Sequence, residues 1–177
     1  MKRFAIGVIL ATAALSAHAR VFMTQQQALA AAFAAGTKVT RQSVFLTRQQ
    51  LDAARKKSGL DLQGQLVVRY AGLAGGKVAG FAYFDTHRVR TLPETVMIVV
   101  GSDGRIAAIE VLSFDEPPDY APKKRWIDQF KGRKLEDELS LKRAIRPMSG
   151  ASLTARAVLE ASRKVLALHE VIGAEVK

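Results

Sequence analysis

The 177-residue chain contains no cysteine. That excludes disulfides, thiol catalysis, iron–sulfur ligation and c-type haem attachment. Histidine is nearly as scarce, with only His18, His87 and His169. Acids are also few: 16 Asp and Glu stand against 27 Lys and Arg, giving a formal net charge of +11. No internal repeat or low-complexity linker occurs. Beyond residue 15, no apolar run approaches the ~20 residues that a membrane-spanning helix needs.

What is present at the N-terminus is a targeting pattern. Lys2 and Arg3 precede an apolar run from Phe4 to Leu15, and Ala17-His18-Ala19 supplies a small-x-small cleavage site. The expectation is a secretory signal over residues 1–19, cut between Ala19 and Arg20, and a periplasmic mature protein. The alternative is an uncleaved anchor, for which the run is short. Cutting 19 of 177 residues leaves 158, enough for one domain, and losing Lys2 and Arg3 takes the charge from +11 to +9. Outside the cytosol this excess points away from nucleic acid. It suits an anionic cofactor, an acidic protein partner or a lipid surface, or is simply a solvated basic surface.

Periodicity divides the rest. Thr24 with Gln27, and Thr47 with Gln50, have capping-box spacing. They predict one helix that Gly36 ends and a second that Gly59 stops, together a helical segment over 20–65. From Gln65 the period becomes two. Strands are expected at Leu66–Tyr70, Val78–Phe84, Thr95–Val100 and Ile106–Phe114. Gly72–Gly76 reads as a turn, Gly80 as a bulge or close-approach point, and Ser102-Asp103-Gly104 as a hairpin. After Pro117-Pro118 come a short helix over Lys123–Phe130, a helical turn near Glu136–Leu141, and a last helix from about Ser152. On that helix Val158, Leu159, Ser162, Val165, Leu166 and His169 share one face. The fold class is α+β: an antiparallel sheet of four or more strands with helices packed on it.

The most specific local signal is Met148-Ser149-Gly150-Ala151-Ser152-Leu153-Thr154, a small-residue turn opening the last helix. Unpaired N–H groups at a helix start, aided by the helix dipole, suit a phosphate. The segment also reads as an ordinary serine N-cap. A serine hydrolase fits poorly. Thr154 stands where the Gly-x-Ser-x-Gly elbow needs glycine, and His169 is about 25 Å along the same helix from Ser152 at 1.5 Å per residue.

The motif resembles the Ser/Thr-Gly-Ala-Thr signature of the FMN-binding domain family. That family includes the C subunit of the sodium-pumping NADH:quinone reductase, the G subunit of the Rnf complex and small secreted stand-alone members. Further likeness lies in Tyr83–Arg90, Pro93-Glu94-Thr95, Asp103-Gly104, Phe114–Pro117, Tyr120 and Trp126–Gly132, so it spans about residues 78–170, within a domain taken as 66–177. The resemblance implies FMN joined by a flavin transferase to the hydroxyl of the fourth motif residue, which is Ser152 here. Ser149, Gly150 and Ala151 match the motif, and Thr154 is the next hydroxyl along. The family usually carries an aspartate three residues before the motif, where this chain has Arg146. That arginine also suits pairing with the phosphate of a non-covalent FMN.

For the flavin ring, the resemblance directs attention to Leu153, Tyr120, Trp126 and the loop from His87 to Thr95, with Arg90 and Glu94. Trp126 and Phe130, at helical spacing, equally suit a core. His87, Arg88 and Arg90 equally suit a solvated strand end, and Glu94 and Glu116 suit turns beside prolines. The implied function is an extracytoplasmic flavoprotein passing electrons between redox partners, one of them membrane-bound, rather than an enzyme with its own substrate. The alternative is a non-redox accessory module that kept the fold and lost the flavin.

Overall fold

In the computed structural model, residues 20–175 are described. The signal-peptide assignment to residues 1–19 lies outside them. The element order is β1 (Arg20–Val21), α1 (Gln25–Ala32), β2 (Lys38–Phe45), α2 (Arg48–Ser58), β3 (Leu66–Ala74), β4 (Lys77–Arg88), β5 (Pro93–Gly101), β6 (Ile106–Phe114), α3 (Lys124–Ile127) and α4 (Ser152–Ile172). Two short 3-10 turns, Pro118–Tyr120 and Asp128–Phe130, flank α3. The strands form one antiparallel sheet in the order β1-β6-β5-β4-β3-β2. The α+β class expected from the sequence is the class observed.

Alternation along each strand sends successive side chains to opposite faces. Phe81, Tyr83, Val96, Ile98 and Val100 face the main core, completed by α2 and the apolar stripe of α4. Ala82, Met97, Val99 and Leu112 face the other way, onto Ala28 of α1. α1 and α2 therefore cover opposite faces of the sheet. Both begin with the expected capping boxes, and Gly59 closes α2 in the left-handed conformation at φ 71°.

Three local expectations change. Residues 38–45, expected within a helical segment over 20–65, form β2, paired with β3 along its whole length. Gly72 belongs to β3 rather than to the turn, because the Phe33 ring packs where its side chain would be. The turn is Gly75–Gly76, both at positive φ. Residues 136–141 are not helical. Only an isolated turn forms, with the Leu139 N–H donating to the Glu136 carbonyl at 3.0 Å, and the carbonyls of Glu136 and Leu139 also accept from the Arg163 guanidinium at 3.1 and 3.0 Å. Gly80 is a close-approach point as expected: a Cβ there would meet the Val100 carbonyl oxygen at 2.7 Å.

Candidate functional site

The site lies where the β4–β5 hairpin turn, the end of β6 and the start of α4 meet. Gly150, at φ 77°, takes the left-handed turn that lets the chain enter α4. The N-cap position falls on Ala151, which has no side-chain acceptor to offer. The amides of Ser152, Leu153 and Thr154 therefore have no acceptor among the described residues, and they point out of the helix end. The Ser152 side chain is exposed and unbonded. Thr154 differs: it is 1% exposed and its hydroxyl donates to the Tyr120 carbonyl at 2.9 Å. That bond ties the 3-10 turn carrying Tyr120 to the first turn of α4.

A cavity of about 260 Å³ opens here, lined by Gly150, Ala151, Ser152, Leu153 and Thr154 on one side. Val89, Arg90, Glu116 and Tyr120 complete it. Tyr120 and Leu153 are 42% and 47% exposed, so an apolar rim faces solvent. Glu116 is part of this wall and also holds the β4–β5 turn. Its Oε1 accepts from the backbone N–H groups of Leu92 at 2.8 Å, Thr91 at 2.7 Å and Arg90 at 3.2 Å. These amides hold its carboxyl below the usual carboxylate range.

The structure separates the remaining expected residues from this cavity. Ser149 is exposed in the preceding turn. Trp126 is buried edge-on against Phe130, and its indole N–H donates to the Arg146 carbonyl at 2.7 Å. It is a core residue. Thr95 pairs with Thr86 through their hydroxyls at 3.0 Å. His87 and Glu94 belong to a buried charged network on the α4 face of the sheet. His87 Nδ1 meets Asp85 at 2.9 Å and Nε2 meets Glu94 at 3.0 Å, while Lys164 of α4 donates to the other Asp85 oxygen at 2.5 Å.

Burial alone would push the His87 pKa down. The hydrogen bonds and charges of the two carboxylates outweigh it and lift the value to about 9. Burial would raise Asp85, but His87 and Lys164 bring it below its ordinary value. Glu94 is fully buried, with one oxygen unpartnered, and burial keeps its pKa raised despite His87. His169 lies on α4, buried on its sheet-facing side. It sits 2.9 Å from the Tyr83 hydroxyl, and burial holds its pKa down. No group of acids and histidines suited to a metal ion occurs among the described residues.

Residues 92–167 match the family model described as the FMN-binding domain. No curated protein matches the chain. The matched stretch contains the Ser149–Ser152 motif, Glu94, Thr95, Glu116, Tyr120 and Trp126. His87 and Arg90 lie just before it.

Proposed function

Because residues 92–167 belong to the FMN-binding domain family, with FMN as its cofactor, we propose that this flavin-binding protein is an extracytoplasmic electron carrier whose FMN is esterified to Ser152. The cavity at the uncapped start of α4 carries this reading. Three unpaired amides there meet a phosphate's need for donors, and the Arg90 guanidinium on the facing hairpin adds a cation. Ser152 is the hydroxyl free to form the ester. Thr154 is buried and already committed to the Tyr120 carbonyl.

The cavity is smaller than the roughly 300–1,000 Å³ of sites that enclose a drug-sized ligand. It therefore holds part of the cofactor and leaves the remainder along exposed Tyr120 and Leu153. An exposed ring edge suits electron exchange with another protein. When bound, FMN supplies one- and two-electron exchange. The chain's own residues retain it, orient it and set the charge around it.

Exposed Arg88, Arg90 and Arg156 belong to the two elements that build the cavity, so an acidic redox partner is favoured at this face. The apolar N-terminal run supports export to the periplasm, where a tether stops the loss of the cofactor by diffusion. A flavin transferase would install it.

Coexpression with a flavin transferase tests the reading. The expected product is yellow, and its fluorescence survives denaturing electrophoresis. Colour released on denaturation would replace the ester with non-covalent FMN. A protein colourless in both states would favour an accessory module without flavin, the reading that Arg146 at the usual aspartate position recommends.

A further inference from the structure

The cavity has one wall that works against a phosphate. Glu116 is only 7% exposed and lines the cavity, so the little surface it keeps opens there. Its Oε1 is saturated by the amides of Arg90, Thr91 and Leu92 and by the Thr91 hydroxyl at 3.3 Å. Its Oε2 makes no hydrogen bond among the described residues, and it is not among their enclosed, unpartnered atoms. The carboxylate is thus clamped by one oxygen and presents the other to the cavity. The donors that clamp it come from the backbone of the hairpin turn, so the orientation is part of the fold.

We propose that Glu116 sets the orientation of the flavin: Oε2 accepts a hydrogen bond from an O–H or N–H of the ligand and turns the phosphate toward the amides of Ser152, Leu153 and Thr154. The inference rests on the FMN reading and adds a polarity to it. A carboxylate repels the phosphate and has no use for an ether or methyl group. It binds only a donor, and the flavin carries donors in its ribityl hydroxyls and its ring imide. The cavity is then bipolar, with donors at α4 and an acceptor at Glu116. The depressed carboxyl pKa keeps that acceptor anionic across the neutral range. The same fixed charge disfavours the extra negative charge that reduction brings, so Glu116 holds the potential down.

Glu116→Gln isolates this role, because the amide oxygen can still accept from the three backbone N–H groups while the charge is lost. The parent and the variant, both loaded by coexpressed flavin transferase, are compared by spectroelectrochemical titration, flavin fluorescence anisotropy and thermal unfolding without flavin. The expected result is unfolding within a few degrees of the parent and equal flavin content. The variant's midpoint potential should rise by at least a tenfold gain in preference for the reduced cofactor, about 30 mV for a two-electron couple. Its anisotropy should also fall. Loading with N3-methylated cofactor identifies the donor: a parent–variant difference that vanishes marks the imide, and one that persists marks a ribityl hydroxyl. A yellow parent whose Glu116→Gln twin has the same potential and anisotropy overturns the role of Glu116 alone. A colourless parent overturns the FMN reading on which it rests.

Discussion

His87 gives the fold a measurable alkaline weakness. Its ring is held between Asp85 and Glu94 on the face covered by α4, and Lys164 of α4 completes the network through Asp85. Glu160 and Asp61 share the groove above it, and Arg88 lies next in the chain. The imidazole pKa is about 9 in the folded protein against 6.5 for the free side chain. A pKa raised on folding means that the native state binds the proton more tightly. The stabilisation is complete below pH 6.5 and is lost as pH rises through 9. Those 2.5 units correspond to about 3 kcal/mol at 1.36 kcal/mol per unit.

Glu94 takes back part of this. Without the imidazolium its buried carboxyl accepts a proton more readily, so the observable loss falls at about 1–3 kcal/mol. Urea unfolding of the parent and of His87→Gln, at pH 6, 7.5 and 9.5, measures it. The stability difference between the two should shrink steadily with pH and nearly vanish at pH 9.5. A difference that is flat, or that grows with pH, would refute the charged-histidine network. His169 titrates in another window. Its pKa is lowered on folding, so its contribution is lost as pH falls below about 6.5, and it cancels in the comparison.

Other perturbations test the surrounding geometry. Gly80→Ala pushes a methyl group into the Val100 carbonyl, a fixed backbone atom at 2.7 Å, and should cost about 1–3 kcal/mol in denaturant unfolding. Phe130→Ala empties a fully buried site beneath Trp126 and should cost about 3–5 kcal/mol, read in the same assay. Thr154→Val removes the donor to the Tyr120 carbonyl and should cost about 1 kcal/mol while leaving flavin attachment intact. Loss of the flavin in that variant would mark Thr154, not Ser152, as the acceptor.

Features set by neighbours in the chain were legible. The capping boxes at Thr24 and Thr47 announce their helices because each cap and its partner lie three residues apart. The buried face of α4 follows from period alone, and the strand over Ile106–Phe114 lies where expected, although register shifts against β5 break its alternation and put Ile106 and Ile109 in one core. β2 was not legible. As an edge strand it half-buries only one face, and two of the three residues there, Thr40 and Gln42, are polar, so no apolar alternation marks it. Gly72 looked like a turn because the Phe33 ring that fills its side-chain space comes from α1, far back in the sequence.

The site divides in the same way. The Ser149–Thr154 turn could be read locally. That His87 and Glu94 face each other beneath α4 shows only in the β4–β5 register. Glu116 reads as a turn acid, but the turn that it holds lies 24 to 26 residues earlier, out of local view.

The claim that organises the site is the Ser152 ester, and the intact mass of protein exported in the presence of a flavin transferase tests it most directly. The account predicts a mature chain beginning at Arg20 with one added flavin mononucleotide. Fragmentation should place that addition on Ser152, and it should be absent from Ser152→Ala. An unmodified mass, from protein that also retains no flavin in its native state, would contradict it.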